Sequence, residues 1–274
     1  MSADAITRAV VLARGLGTRM RRADAGAALD AEQAAVADTG LKAMIPVGRP
    51  FLDFVLSALA DAGFTDVCLV IGPEHAVVRA RYAGEQRPRR VRVHFAVQAE
   101  PHGTADALVA AAEFIEEQPF VVLNSDNYYP VATLRALREY GAPALPGFDR
   151  EGLVRGGNID PARIAAFALL VVRADGTLAR VVEKPDPATM EALGTQTAVS
   201  MNCWAFPPRI LEACRSIEPS ERGELEIPHA VQYAIDHLGM RFHVVPTEEG
   251  VLDLSSRGDI EAVKARLASV EVRL

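Results

Sequence analysis

Through the first half of the chain, short apolar runs alternate with stretches whose apolar residues recur at helical spacing. Ala9–Ala13 (AVVLA) is a continuous apolar run of buried-strand type. Phe51–Gly63 (FLDFVLSALADAG) repeats its apolar residues every three or four positions and stops on glycine, so it predicts a helix with a glycine end. Val67–Ile71, Val91–Val97 and Phe120–Leu123 predict further strands. Glu74–Tyr82, Thr104–Ile115 and Val131–Tyr140 predict helices between and after them. Strict strand–helix alternation implies a mostly parallel sheet covered by helices and joined by right-handed crossovers.

The second half is less regular. Ile164–Val172 and Leu178–Glu183 read as paired strands around the turn Asp175-Gly176, and Ala198–Phe206 reads as one strand. Pro208–Ile217, Glu226–Leu238 and Ser256–Leu267 predict helices, and Arg241–Val245 a late strand. No Gly/Ser linker or internal repeat divides the chain. The expectation is one domain over 1–274, with 1–145 as its first half and 146–274 as an elaborated second half. Arg21–Thr39 (RRADAGAALDAEQAAVADT) stands apart, rich in Ala and Asp and poor in large apolar residues. Such a stretch gains little from burial at about 25 cal/mol per Å² to offset ordering its backbone at about 1–2 kcal/mol per residue. It is expected to be a weakly ordered excursion, a mobile lid.

With 274 residues, half of them hydrophobic, the chain can bury a large core. No run of about 18 apolar residues is present, and the N-terminus has no charged segment followed by a long apolar one. A cytoplasmic protein without membrane partner is the expectation. The net charge of −7 opposes nucleic-acid binding, which calls for a basic surplus. The one basic cluster, Arg87–Arg92 (RPRRVR), reads as a solvated turn. Cys68, Cys203 and Cys214 are too few and too scattered for a disulfide framework or zinc site, and read as buried thiols. The composition allows a homo-oligomer without specifying one.

Candidate chemistry begins directly after the first strand, at Leu12-Ala13-Arg14-Gly15-Leu16-Gly17-Thr18-Arg19-Met20. Ligands of open α/β sheets bind beyond the carboxyl ends of strands, and glycines let backbone N–H groups approach phosphates closely. A dinucleotide fingerprint would need a third glycine and an acidic residue ending the next strand, and neither is present. A Walker loop would need Gly-Lys-Ser/Thr, also absent. The string instead resembles the opening signature of the sugar-1-phosphate nucleotidyltransferases, and the likeness continues in order. Lys42-Ala43-Met44-Ile45-Pro46-Val47, Gln98–Ala107 (QAEPHGTADA), Val122–Asn127 (VLNSDN), Val182-Glu183-Lys184-Pro185, Gly223–Ile227 (GELEI) and Leu252–Ser256 (LDLSS) are similar to that family's later strings.

The resemblance implies a Rossmann-like, doubly wound α/β sheet with a mixed C-terminal half, and transfer of a nucleotidyl group from a nucleoside triphosphate to a sugar 1-phosphate with Mg²⁺. It implies that Leu12, Ala13, Gly15, Gly17, Thr18 and Arg19 hold the triphosphate, with Arg19 at the leaving pyrophosphate and Lys42 at the triphosphate or the transferred group. It further implies that Asp126 and Asp253 bind the metal, that Gln98, Gly103 and Thr104 meet the nucleotide, and that Glu183, Lys184 and Asn202 meet the sugar phosphate. An arginine suits a pyrophosphate because it stays charged and offers a planar fork of donors. Mg²⁺ suits one or two carboxylates with phosphates completing its shell. Glu183 and Lys184 are neighbours in an alternating strand and would point to opposite faces, so a turn at Pro185 must bring both to one site.

Departures fall near the base and the sugar. Arg14 stands where Ala or Gly is usual, Asn202 where Gly is usual, and Pro228-His229 where Thr-Asp is usual; the Arg19-to-Lys42 excursion is long. Gln98, able to donate and accept, favours UTP or dTTP over ATP, although Gly103–Ala107 also resembles the adenylyltransferases. Two alternatives remain: transfer to a cyclitol or alcohol phosphate, and a non-catalytic nucleotide-sugar sensor. Joint retention of Arg19, Lys42, Asp126, Lys184 and Asp253 argues against the sensor.

Overall fold

The computed structural model of the chain describes residues 5–24, 26–84 and 86–274. Four strands form the parallel half of the sheet: β1 (Arg8–Leu12), β2 (Asp66–Ile71), β3 (Arg92–Val97) and β4 (Phe120–Asn124). Their order is β3-β2-β1-β4, all parallel. The chain therefore leaves β1 toward β2 on one side and later returns to β4 on the other. The crevice at the C-terminal end of β1 is the point where the order reverses, and there the loops after β1 and β4 face each other.

A two-residue strand, β5 (Asn127–Tyr128), follows β4. The sheet then continues with β6 (Ala144–Phe148), the hairpin β7 (Ala168–Val172) and β8 (Leu178–Val182), β9 (Val199–Ser200), β10 (Trp204–Phe206) and β11 (His243–Thr247). Beyond β4 the order is β10-β6-β9-β7-β8, antiparallel throughout, with β11 parallel to β6. The fold is thus α/β, with a parallel Rossmann-like half and a mixed second half. A last short strand, β12 (Leu252–Asp253), pairs with β5 in a separate ribbon, setting Asp253 opposite Asn127. Helices lie against both faces, and the two apolar clusters they make with the sheet hold most of the buried Val, Leu, Ile and Phe residues.

The predicted elements of the first half are present with small shifts at their ends. Phe51–Ala62 is a helix ending on left-handed Gly63, and Val131–Tyr140 is a helix over the predicted span. The predicted helix Thr104–Ile115 is broken at Ala111 into Thr104–Ala110 and Ala112–Ile115. In the second half, β6 (ALPGF) escapes a reading by pattern because Pro and Gly sit inside it. Its proline is tolerated because β10 pairs at Ala144 and β9 at Phe148, leaving Pro146 between the two ladders. That gap comes from Asn202, whose φ of 55° divides the predicted strand Ala198–Phe206 into β9 and β10. Likewise the predicted strand Ile164–Val172 is a 3₁₀ turn until Ala166 and a strand only from Ala168.

The expectation of a weakly ordered 21–39 is corrected. Ala25 lies outside the described residues, but Ala31–Thr39 is a helix with a full capping box. Gln33 N donates to Asp30 Oδ1 at 2.8 Å, and Asp30 N donates to Gln33 Oε1 at 3.1 Å. The physical reason is local hydrogen bonding rather than burial. Gln33 Nε2 also donates to Pro46 O at 2.9 Å, and Arg21 donates twice to Thr39 O, at 3.1 and 2.7 Å. The excursion closes on itself where left-handed Gly17 meets left-handed Gly40, so tightly that a Cβ on Gly17 would lie 2.1 Å from Gly40 O.

Arg90 and Arg92 of the basic cluster pair with Asp61 and Asp66 at 2.8 and 2.7 Å. All three cysteines are free and buried, and burial pushes the thiols of Cys68 and Cys214 up to about 12. No helix among the described residues is long and apolar enough to cross a membrane.

The capped helix generates a prediction. Asp30→Ala should cost about 0.5–2 kcal/mol in chemical denaturation, and amides near the end of Ala31–Thr39 should be protected from hydrogen exchange in the ligand-free protein. Exchange at unprotected rates there, with unchanged stability of the variant, would contradict a docked helix.

Candidate functional site

β1 delivers the glycine loop and β4 delivers Asp126, and the parallel register sets Leu12 opposite Asn124. Ser125 N donates to Leu12 O at 3.1 Å, which ties the two loops together. A cavity of about 200 Å³ lies between them, lined by Leu12, Ala13, Gly15, Lys42, Thr104 and Asp126 among others. A second cavity of about 300 Å³ shares Leu12, Gly15, Lys42 and Thr104 with the first. It adds Gly17, Thr18, Arg19, Gln98 and Gly103. All nine residues proposed from sequence for the nucleotide thus line one or both of two adjoining cavities, together the hollow between the loops.

Lys42 sits in a 3₁₀ turn, Lys42–Met44, directly after the Gly17–Gly40 contact. Its Nζ is 2.7 Å from Asp126 Oδ2, with both side chains mostly shielded from solvent. Sequence placed this lysine at the triphosphate or the transferred group; the structure pairs it with the aspartate while it lines both cavities. Arg19 is exposed on the short helix Thr18–Arg21, and no ion pair or hydrogen bond of its guanidinium occurs among the described residues.

Asp253 reaches the same place from far along the chain, through β12 on β5. The ribbon is fastened by Leu254 N donating to Asp126 O at 2.8 Å. Asp253 is buried, and its carboxylate accepts from Ser255 Oγ at 2.9 and 2.8 Å, Asn127 Nδ2 at 3.2 Å and Arg163 Nη2 at 2.6 Å. Arg163 is held in turn by Asp259 at 2.8 Å, and Asn158 brackets the Asp253 backbone at 2.7 and 2.9 Å. Burial, and then the negative charge of Asp126, raise the Asp253 carboxyl above the ordinary aspartate range. Two carboxylates that repel across a crevice suit a divalent cation. No cluster of three or more Asp, Glu, His or Cys suited to a metal occurs among the described residues, so such an ion would need phosphate oxygens or water to complete its shell.

On the side expected to meet the nucleotide, Gln98 is buried at the end of β3, and its N donates to Ile71 O at 2.9 Å. Its side-chain amide donates to Gly103 O at 2.9 Å and to Asp106 Oδ2 at 2.7 Å. Gly103 takes a φ of 117°, and a Cβ there would lie 2.4 Å from Leu225 O. Leu225 N donates to His102 O at 2.7 Å, Ala105 N to Leu225 O at 2.8 Å and Ile227 N to Thr104 Oγ1 at 3.0 Å. The Gly223–Ile227 string is thereby docked on the Gln98–Ala107 string. Arg14, also lining the hollow, is nine-tenths buried. It donates to Ala99 O at 2.9 Å, while its Nε and Nη1 have no hydrogen-bond partner among the described residues.

Of the sugar-phosphate residues, Glu183 lies just beyond β8 and is joined to the docked string through Arg222, at 3.5 Å. Arg222 also grips buried Glu226 at 2.8 Å, and Ser220 Oγ donates to Glu226 at 2.8 Å. Burial and the nearby Glu226 raise the Glu183 carboxyl. Glu226 is held below its ordinary value by Arg222 and Ser220, against the effect of its burial. Lys184 is exposed with a φ of 42°. That left-handed turn breaks the strand alternation at Lys184 itself, one residue before the turn expected at Pro185. Asn202 is exposed beside Met201, whose carbonyl accepts from Tyr129 OH. Neither Lys184 nor Asn202 lines the hollow between the loops.

Sequence reasoning assigned no role to Arg163, Asn158, Asp106, Arg222 or Glu226. Asp106 and Glu226 fall inside strings that had been singled out and Arg222 directly precedes one, whereas Arg163 and Asn158 carry no local signal because their partner lies 90 or more residues away.

This sheet order, with a carboxylate pair beside a glycine loop at the switch point, defines the nucleotide-diphospho-sugar transferase fold. The same architecture is found in a UDP-glucose pyrophosphorylase solved with UDP-glucose (TM-score 0.70, 16% identity, 96% of this chain and 99% of that one). It is found as well in the inositol-1-phosphate CTP transferase of T. maritima (TM-score 0.70, 16% identity, 96% of each chain). Residues 35–260 match the nucleotidyl transferase family model, and the chain belongs to that family. The glycine loop lies before the matched span. A glucose-1-phosphate thymidylyltransferase of Streptomyces antibioticus is 31% identical over 84% of this chain, which spans only 58% of that relative's length. The UTP–glucose-1-phosphate uridylyltransferase of Haloferax volcanii is 28% identical over 95% of this chain and 96% of its own.

The tight docking at Gly103 generates a prediction. Gly103→Ala should cost at least about 1 kcal/mol of stability, because the new side chain meets both a left-handed backbone and Leu225 O, and should weaken nucleotide binding in calorimetric titration. Wild-type values for both would show that the two strings are not locked together.

Proposed function

We propose that the protein transfers a nucleotidyl group from a nucleoside triphosphate to a sugar 1-phosphate, forming a nucleotide sugar and pyrophosphate. The observation that carries this reading is the convergence of Asp126 and Asp253 beside a glycine-loop hollow lined by Arg19 and Lys42. Both reactants are anions, so the site must cancel their repulsion and stabilise charge at phosphorus and on the leaving group. No covalent intermediate on the protein is required.

The backbone N–H groups of the glycine loop suit the triphosphate, and Arg19, free of protein partners among the described residues, suits the leaving pyrophosphate. Lys42 lines both cavities, and its ammonium, paired with Asp126, suits the triphosphate or the transferred group. Asp126 and Asp253 are the residues that would hold Mg²⁺, which supplies Lewis-acid charge stabilisation and a template when bound. Glu183 suits sugar hydroxyls, with Arg222 and Glu226 setting its charge, and Lys184 suits the acceptor's phosphate. Asn202 suits a sugar hydroxyl.

UTP or dTTP is favoured over ATP. Both acceptors around the Gln98 amide demand its NH₂ group, so Oε1 is left to accept. Uracil and thymine offer an imino N3–H to such an acceptor, whereas adenine N1 and cytosine N3 are acceptors themselves and those bases meet it only with the neighbouring amino group. A cyclitol phosphate in place of the sugar phosphate is the second reading, and Asn202, which the resemblance sets where glycine is usual, leaves the acceptor open. The inositol-1-phosphate CTP transferase shows that the same fold is used with such an acceptor.

Two outcomes test the reading. Asp126→Asn should retain the fold and lose nearly all pyrophosphate release across a Mg²⁺ titration, because a hard anionic oxygen is replaced by an amide; near wild-type rates would remove the metal assignment. Lys184→Ala should raise KM for the sugar phosphate far more than KM for the triphosphate. Equal losses in both would place this lysine elsewhere in the reaction.

A further inference from the structure

We propose that Asp106 is a specificity-determining positioning residue that selects the base by fixing which way round the Gln98 amide sits. The inference rests on the reading of Gln98 as the residue that meets the base. A free glutamine is ambivalent: a half-turn about its last torsion exchanges a donor for an acceptor, so the residue alone does not distinguish uracil or thymine from cytosine or adenine. In this chain the ambiguity is removed by two acceptors on one side. Gly103 O and Asp106 Oδ2, at 2.9 and 2.7 Å, each take one hydrogen of the NH₂ group. Reversing the amide would set Oε1 against a carbonyl and a carboxylate, three acceptors with no proton among them. Among the described residues no hydrogen bond ends on Oε1, which leaves it as the acceptor a ligand would meet.

The carboxylate does more of this than the carbonyl. A hydrogen bond to an ionised acceptor is roughly twice as strong as a neutral one, and the shorter of the two distances is to Asp106. The frame around the pair is stiff. Gln98 is fixed through its N to Ile71 O, and Asp106 rides on the helix Thr104–Ala110, whose first turn is stitched to Leu225 and Ile227. The spacing of carboxylate and amide therefore does not adjust to the base that arrives. An amide that presents only its acceptor to the ring nitrogen of the base favours a base with a hydrogen on that nitrogen, as uracil and thymine have at N3, over cytosine and adenine, which present a lone pair there and meet the acceptor only with an exocyclic amino group.

Asp106 also lies in the first turn of a helix, where a negative charge is stabilising in itself. A purely helix-stabilising aspartate would affect every triphosphate alike. The ratio of kcat/KM for UTP or dTTP to that for CTP and ATP separates the two roles. Asp106→Ala is expected to lower this ratio about ten-fold or more, leaving KM for the sugar phosphate unchanged. Asp106→Asn, whose side-chain oxygen still accepts from Gln98, is expected to restore most of it. A second readout needs no turnover: hydrogen exchange of the Gln98 side-chain NH₂ by NMR should be slowed in the wild type and in Asp106→Asn, and faster in Asp106→Ala. An unchanged base ratio in a folded Asp106→Ala would overturn the inference, as would unprotected Gln98 NH₂ protons in the wild type. A wild-type enzyme that turns over but does not prefer UTP or dTTP to CTP and ATP would instead remove the reading of Gln98 on which the inference stands.

Discussion

The arrangement depends on one electrostatic constraint, the approach of Asp253 to Asp126. The two residues are far apart in sequence, and the β5–β12 ribbon brings them together. Like charges in a shielded site are unfavourable unless cations answer them. In the protein alone the answer is divided: Lys42 neutralises Asp126, while Arg163, Ser255 and Asn127 surround Asp253. These partners hold the carboxylates at the mouth of the β1–β4 crevice. Much of the second half of the chain can be understood as the scaffold that carries Asp253 back to this point.

The same logic of distant segments fixed by hydrogen bonds recurs on the nucleotide side. The Gly223–Ile227 string is clamped to the Gln98–Ala107 string by backbone bonds and by the absence of a side chain at Gly103. This clamp also brings Glu226 and Arg222 next to Glu183, so that one short segment touches both the nucleotide hollow and the proposed sugar side. Rigid framing of this kind suits a reaction that depends on in-line positioning rather than on a covalent intermediate.

Much of this was legible in the sequence where the signal is local. The parallel half shows itself through buried-strand runs and helical spacing, and Phe51–Ala62 and Val131–Tyr140 lie where their apolar periods put them. The glycine loop, Lys42, Gln98 and Asp126 sit in strings that follow strands, and they converge on one hollow. Elements shaped by long-range pairing were hidden. β6 contains Pro146 and Gly147 and is a strand because β11 pairs along its whole length on one side, while β9 and β10 on the other leave a gap at Pro146. Arg163 lies in an unremarkable stretch and gains its place from Asp253 and Asp259. The order of the helix Ala31–Thr39 was underestimated for a different reason: apolar burial is small there, and the order comes from Asp30, Gln33 and the Gly17–Gly40 contact.

The central claim is that the carboxylate pair and the glycine loop together serve nucleotidyl transfer to a phosphorylated acceptor. Its most direct test is pyrophosphate release by the purified protein with Mg²⁺, over a grid of UTP, dTTP, CTP and ATP against glucose 1-phosphate, other sugar 1-phosphates and inositol 1-phosphate. The account predicts release that requires both substrates, is abolished by chelating the metal, and is fastest with UTP or dTTP and a sugar 1-phosphate. Tight triphosphate binding with no pyrophosphate release for any acceptor would contradict it and would mark the protein as a nucleotide-binding sensor on a catalytic fold.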